Sequence, residues 1–164
     1  MRFHDPSDVD FMMELSSDPE VTRFTGDGPI ARREDALARI ANLQRQAATG
    51  FGRMVVLDRE SGERLGWCGL KNLADEKQVD LGYRFFRRHW GKGYATESSR
   101  VALAHGFTEL ALSRIVATVS DGNVASERVM KKLGFVSTGR AVIDGDEGPA
   151  FLLTREAWQA TLGV

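Results

Sequence analysis

The sequence predicts an α+β fold: one mixed, mostly antiparallel sheet with helices on both faces, built as a single domain over residues 1–164. Three observations lead there. The apolar period is helical as far as Gly50 and alternating from Met54 onward. A meander is then followed by strand, helix, strand, helix and two further strands. The 164 residues include only four prolines, with no low-complexity stretch and no internal repeat, which leaves no room for a linker between domains.

The elements follow in order. Asp5-Pro6 and Asp18-Pro19 each read as a helix start, with aspartate as cap and proline at the first helical position, where its missing N–H costs nothing. The first helix turns Val9, Met12, Met13 and Leu15 toward a core, and the second stops by Gly26. A longer helix over 32–48 carries Leu37, Ile40 and Leu43 on one stripe, with Gly50 as its stop. Met54-Val55-Val56-Leu57 is a strand, Glu60-Ser61-Gly62 a tight turn, and 64–70 the hairpin partner. In a third strand Val79, Leu81, Tyr83 and Phe85 alternate with Asp80, Gly82 and Arg84. Residues 94–110 are helical, with Leu103, Phe107 and Leu110 on one face and the small residues Ala95, Ser98, Ser99 and Ala102 in the first turns. Ile115, Ala117 and Val119 make a fourth strand, and Ala125, Val129 and Leu133 stripe a helix ending at Gly134. Two short strands, 135–142 and 150–153, flank an Asp/Gly-rich turn, and Thr154 caps a final helix containing Trp158.

Composition narrows the function classes. A formal net charge of −1 argues against a protein whose main task is coating nucleic acid. No apolar run approaches the roughly 20 residues of a membrane helix. Met1-Arg2-Phe3-His4-Asp5 lacks an apolar secretory core, so the expected location is cytoplasmic. The single cysteine, Cys68, excludes an intrachain disulfide; inside a predicted strand it reads as a buried structural thiol rather than a nucleophile. His4, His89 and His105 lack metal-ligand spacing with one another or with Cys68, and no metal site is expected.

The third strand runs through Arg87-Arg88-His89 into Trp90-Gly91-Lys92-Gly93-Tyr94-Ala95-Thr96, which opens a helix. Glycines at a strand-to-helix turn let the backbone approach an anion, and the N–H groups and dipole of the helix start then hold it. A phosphate or pyrophosphate is the natural ligand; an ordinary helix start with glycine for close packing is the alternative. A Rossmann fingerprint needs glycine three residues after Gly93, where Thr96 stands. A Walker A loop needs Ser or Thr after Lys92, and Gly93 follows instead.

Context decides between them. Trp90-Gly91-Lys92-Gly93-Tyr94-Ala95-Thr96-Glu97 is followed one strand later by Asn123-Val124-Ala125-Ser126 and Met130-Lys131-Lys132-Leu133-Gly134-Phe135. This order resembles the GNAT acetyltransferases, and among them the RimJ/RimL-like branch, which acetylates N-terminal amines of ribosomal proteins. Asp18-Pro19-Glu20-Val21, Gly66-Trp67-Cys68-Gly69-Leu70 and Leu153-Thr154-Arg155-Glu156-Ala157-Trp158 extend the resemblance over nearly the whole chain. The superfamily loop reads Arg or Gln, two residues, Gly, one residue, Gly or Ala. Gly93 and Ala95 supply its small residues and Trp90 takes the Arg/Gln place, while Arg88, Gly91 and Gly93 fit two residues out of register.

The resemblance implies acetyl-CoA as cosubstrate and an amine as acceptor. It implies that Tyr83, Arg84 and Phe85 pair through their backbone with pantetheine. Gly91, Lys92, Gly93, Tyr94, Ala95 and Thr96 would cradle the pyrophosphate, and Asn123 and Ser126 would lie beside the pantetheine arm and thiol. Asn123, following Asp121-Gly122, is independently a good helix cap. RimJ/RimL-like proteins also open with a full strand, of which only Met1 to His4 remain here: the edge strand is short or the chain begins late.

Transfer from a thioester to an amine needs a neutral amine, a donor to the tetrahedral oxyanion and a proton for the departing thiolate. It proceeds directly in a ternary complex, without a covalent enzyme intermediate. Asp80 is the candidate base, acting through water; the alternative is a solvated or salt-bridged strand residue. Many GNAT enzymes place a tyrosine acid seven residues after the asparagine of the second motif, and here that position is Met130. Ser126 is the remaining hydroxyl near the expected thiol, or else a small residue that permits helix packing. A backbone N–H of strand 79–85 is the expected oxyanion donor.

The run Arg84-Phe85-Phe86-Arg87-Arg88-His89-Trp90 could suit nucleic acid, but one coenzyme's phosphates account for it more economically. Neither nucleic acid nor membrane is therefore expected as a partner, and the chain is expected to be a monomer or homodimer. The acceptor is a protein N-terminus by resemblance; an antibiotic amine, a polyamine or a free amino compound stays open. The competing class is an acetyl-CoA sensor without catalysis, suggested by the missing tyrosine.

Overall fold

A computed structural model describes residues 1–25, 27–73 and 77–163. Asp5 caps a short 3₁₀ turn, Pro6–Asp8, that leads into α1 (Val9–Ser17), and Asp18 caps α2 (Pro19–Thr22) by accepting the Glu20 N–H. Gly26, the expected stop of the second helix, lies outside the described residues. Next come α3 (Arg33–Ala47), β1 (Gly52–Leu57), β2 (Arg64–Leu73), β3 (Gln78–Phe85), α4 (Tyr94–Thr108), β4 (Arg114–Thr118), α5 (Val124–Lys132), β5 (Val136–Ile143), β6 (Asp146–Thr154) and α6 (Arg155–Thr161). Among the described residues no helix is long and apolar enough to cross a membrane.

The six strands form one sheet in the order β1-β2-β3-β4-β6-β5. Every neighbouring pair is antiparallel except β3 and β4, which are parallel and joined through α4. Helices cover both faces, as expected. On one face Cys68, Leu70, Leu81 and Phe85 pack with Leu103 and Phe107 of α4 and with Ile115 and Met130. On the other, Phe11, Leu15, Val55, Trp67 and Phe86 pack together, and Val9 and Met12 meet Ala36 and Ile40 of α3. The first strand expected of the family is reduced to a bridge between Arg2 and Val55.

Three expectations need correcting. The core stripe of α3 is Ala36, Ile40 and Leu43; Leu37 is 41% exposed, because a fully buried Ala36 lets α1 approach closely. In α5 the buried residue is Met130 at 2% exposure, followed by Leu133, while Ala125 is exposed. The last strand begins at Asp146 rather than at 150. Gly148-Pro149 reads as a turn, but a Cβ on Gly148 would stand 2.2 Å from the Val119 carbonyl oxygen, so the glycine serves close passage over the end of β4.

Asp8 anchors the chain's beginning to the sheet. It is buried and accepts hydrogen bonds from both Arg2 guanidinium NH groups at 2.7 Å, from Arg64 Nε of β2 at 2.7 Å and from the Asp5 N–H at 2.9 Å. Burial pushes its carboxyl up, but these bonds outweigh it and hold the pKa at about 2. His4, buried beside it, is pushed down to about 4, chiefly by burial. Both shifts act in the same direction. Each group binds protons more tightly in the unfolded chain, so stability is full above about pH 6.5 and falls with acidification, first through His4 and then through Asp8. Urea unfolding at pH 7 and pH 4.5 should show a loss in which His4 accounts for roughly 2–3 kcal/mol. His4→Phe should remove most of that step; an equal loss in the variant would show that His4 does not carry it.

Candidate active site

The sheet parts between its two parallel strands. Their register is made at a single pair, Asp80↔Val116, among the described residues. Beyond it lie the carboxyl ends of β3 and β4, and the N-termini of α4 and α5 begin there. In open α/β sheets a crevice at the carboxyl ends of diverging strands is where ligands bind. The pleat of β3 sends Leu81, Tyr83 and Phe85 to the α4 side and Asp80, Gly82 and Arg84 to the α1/α3 side.

On the α4 side the mouth of the crevice is backbone. Gly91 (φ +74°) and Gly93 (φ +91°) are both left-handed, and an added Cβ on either would meet nothing within 4 Å. Glycine is therefore required for conformation rather than room; another L-residue costs about 1–2 kcal/mol in that region. Gly93 is the N-cap of α4 and offers no side chain, and the first helical bond runs from Glu97 N–H to Gly93 C=O at 3.0 Å. The N–H groups of Tyr94, Ala95 and Thr96 are thus free to bind an anion. Trp90 donates its indole N–H to the Phe85 carbonyl at 2.9 Å, fastening the loop back to the end of β3. Across the crevice, Asn123 Oδ1 accepts the Ser126 N–H at 3.1 Å, the capping role its position suggested. The Tyr83 hydroxyl is buried without a hydrogen-bond partner among the described residues; burial pushes its pKa up to about 12, against the lowering influence of the Ser126 hydroxyl.

On the α1/α3 side the crevice ends in charge. Asp80, only 7% exposed, accepts a 2.8 Å bond from Arg53 of β1. To reach it, Arg53 lies across Gly82, where a Cβ would stand 2.6 Å from its Nη2, and over the Trp67 ring at 4.8 Å. Burial raises the Asp80 pKa; Arg53 opposes this and Asp144 adds to it. Arg84 also sits over Trp67, at 5.5 Å, and pairs with Asp27, which Arg39 Nη1 holds at 2.7 Å. Lys71, opposite Asp80 in the β2–β3 register, pairs with Asp144 at 2.6 Å.

The basic run does not act as one cluster. Arg84 faces the opposite side of the sheet from the glycine loop. Arg88 bonds Glu63 at 3.2 Å and Glu14 at 3.3 Å, and His89 bonds Glu63 at 3.1 Å. Among the described residues Arg87 and Lys92 make no ion pair, so these two cations remain available at the loop. Met130, at the position of the expected tyrosine, is packed in the core. Sequence reasoning did not assign Arg53, Trp67 and Lys71, which strand register gathers around Asp80 and Arg84, nor Asp27, which long-range folding brings to Arg84. Glycines inside strands, Gly69 and Gly82, were the available signal of a close approach.

Residues 1–136 match the family described as acetyltransferase (GNAT) domain. The uncharacterized N-acetyltransferase p20 of Bacillus licheniformis is 32% identical over 136 residues, covering 80% of this chain and 75% of that protein. A GNAT-family acetyltransferase from Bacillus anthracis superposes with a TM-score of 0.79 at 25% identity, over 94% of this chain and 93% of that one. The aminoglycoside acetyltransferase AAC(6')-Ib, solved with coenzyme A, shares the fold at a TM-score of 0.81 and 17% identity, over 98% of this chain and 97% of that one.

Arg53 is the main influence holding the Asp80 carboxyl down against its burial. Arg53→Met should therefore move the Asp80 titration further upward, measured by carboxyl ¹³C NMR. An unchanged or lowered pKa would show that the pair is not electrostatically coupled.

Proposed function

The chain belongs to the GNAT acetyltransferase family, and we propose that it transfers the acetyl group of acetyl-CoA to a primary amine by direct attack in a ternary complex. The observation that carries this reading is the crevice itself. Parallel strands joined, among the described residues, only at Asp80↔Val116 leave the edge of β3 open toward a helix start whose first N–H groups are unsatisfied.

Acetyl-CoA would enter from the α4 side. Its pantetheine would run along the backbone of Tyr83, Arg84 and Phe85 as an added strand. Its pyrophosphate would lie on Gly91, Lys92, Gly93, Tyr94, Ala95 and Thr96, and Asn123 and Ser126 would flank the arm and thiol. Arg84 would take part through its backbone alone, since its side chain is committed to Asp27. The acceptor approaches from the Asp80 side. Asp80 takes a proton from the ammonium through water, and the freed lone pair attacks the thioester carbonyl carbon. A backbone N–H of β3 stabilises the oxyanion; collapse then breaks the C–S bond, the nitrogen gives up its second proton and the thiolate gains one, leaving amide, thiol and one proton on Asp80. The Ser126 hydroxyl and the Tyr83 phenol, protonated at neutral pH, are the donors on that side. The motif resemblance points to a RimJ/RimL-like acceptor, a protein N-terminus. A small-molecule amine is favoured by the cavity on the Asp80 side, whose volume is about 110 Å³.

Two variants separate binding from chemistry. Ala95→Glu should leave the fold intact, because a carboxylate in the first turn suits the helix dipole, yet abolish measurable acetyl-CoA binding by calorimetry. Wild-type affinity in the folded variant would remove the phosphate role of this loop. Asp80→Asn should bind acetyl-CoA normally and lose about 10²–10⁴-fold in turnover, with partial recovery at alkaline pH, where free amine is abundant. Because the Asp80 pKa is raised, wild-type turnover should fall as acid protonates the base. Acetyl-CoA binding with no turnover on any amine would instead indicate a sensor.

A further inference from the structure

The cavity on the Asp80 side has an unexpected charge for a site that receives a cation. It lies between α1, α3 and the sheet, and its lining includes His4, Arg39, Arg53, Lys71, Arg84 and the Trp67 ring, but no carboxylate among the described residues. Asp27, Asp80 and Asp144 pair with these cations without lining the cavity. His4 is held neutral by its burial, so the charged walls are four cations.

The pairs leave donors unused. Arg84 is only 8% exposed, and its Nε is buried without a partner. Arg53 Nε is likewise buried and unpartnered. A buried guanidinium N–H without an acceptor costs roughly 1–3 kcal/mol or more. Burial above all lowers the Arg84 pKa despite Asp27, and Arg39 and Arg53 add to the lowering. Both guanidinium groups are held against the Trp67 ring. An anion entering the cavity would meet walls whose charged side chains are Arg39, Arg53, Lys71 and Arg84, whereas a polycation would meet like charge. The volume of about 110 Å³, smaller than the roughly 150 Å³ that holds a benzene molecule, suits one compact group inside the cavity.

Arg53 relates this cavity to the chemistry. The same guanidinium that lines it donates to Asp80 at 2.8 Å. A carboxylate bound at Arg53 and Arg84 would thus sit a few bonds from an amine delivered to Asp80. We propose that the acceptor is a small amino carboxylate, a molecule whose primary amine and carboxylate are separated by one or a few carbons. This inference rests on the acetyltransferase reading above and names its acceptor class. The carboxylate pairs with the guanidinium edges and positions the amine; the transfer step is unchanged, with the amine nitrogen acylated and the proton passing to Asp80.

The test compares matched acceptors. Acetyl-CoA binding is first measured by calorimetry; its failure would overturn the acetyltransferase reading itself. The free amino acids, their amides, their decarboxylated amines and spermidine are then titrated into the acetyl-CoA complex. The Trp67 indole resonance and thiol release are both followed. Amino acids should shift the indole signal, and the best of them should exceed its own amide and amine by at least about 10² in kcat/KM, the discrimination expected when a site's buried polar groups are left unpaired. Arg53→Met should erase that preference. Arg84→Lys, a milder change at a buried position, should reduce it while retaining acetyl-CoA binding. Amides or spermidine acetylated as well as the acids would overturn the proposal, as would a Trp67 signal that no amino acid moves.

Discussion

The parting of β3 from β4 is the constraint on which the rest of the architecture depends. Two parallel strands held at one register pair leave backbone groups exposed in the middle of a sheet, where they would ordinarily be paired. The fold supports this opening by packing helices on both faces of the sheet around it. α4 packs Leu103 and Phe107 on one face, and on the other Phe11 and Leu15 of α1 pack against Trp67 of β2 and Phe86 just after β3. The helices that follow each strand then start at the same end, which brings the uncapped turn after Gly93 and the Asn123 cap to opposite sides of one crevice. An extended ligand that supplies backbone-like hydrogen bonds and carries phosphates would satisfy both deficits together.

The two faces of β3 divide the labour. Tyr83 and Ser126 belong to the side of the glycine loop, and Asp80 with Arg53, Lys71 and Arg84 to the side of α1 and α3. Such a concentration of buried charge is not a stabilising device. Replacing buried ion pairs by apolar residues is often neutral or favourable, whereas removing one partner is costly. Arg53 and Arg84 moreover keep donors that the protein itself does not satisfy. Charges held this way, against one tryptophan ring and beside a carboxylate with a raised pKa, suit a site organised for a polar ligand.

What was legible in the sequence was local. Asp5-Pro6, Asp18-Pro19 and Thr154 announced helix starts because capping is decided by a residue and its nearest neighbours. Gly91 and Gly93 announced the loop because left-handed backbone favours glycine. The α3 stripe shifted from Leu37 to Ala36 because helix contact depends on how closely α1 approaches, which periodicity does not encode. Met130 stood out as an absent acid, but its burial gives it a packing role. Arg53 and Lys71 carry no signature of their own, and Trp67 stood out only as part of the family resemblance. Their relation to Asp80 exists only once Arg53↔Gly69, Trp67↔Arg84 and Lys71↔Asp80 are in register.

Amide hydrogen exchange, with and without acetyl-CoA, tests the central claim most directly. If the coenzyme completes the open edge, protection should rise at the β3 amides beyond Asp80 that face the crevice. It should rise together with that of the amides of Tyr94, Ala95 and Thr96, while the β1–β2 pairing stays as protected as before. Binding that left those amides unprotected, or protected only residues away from the crevice, would contradict the account.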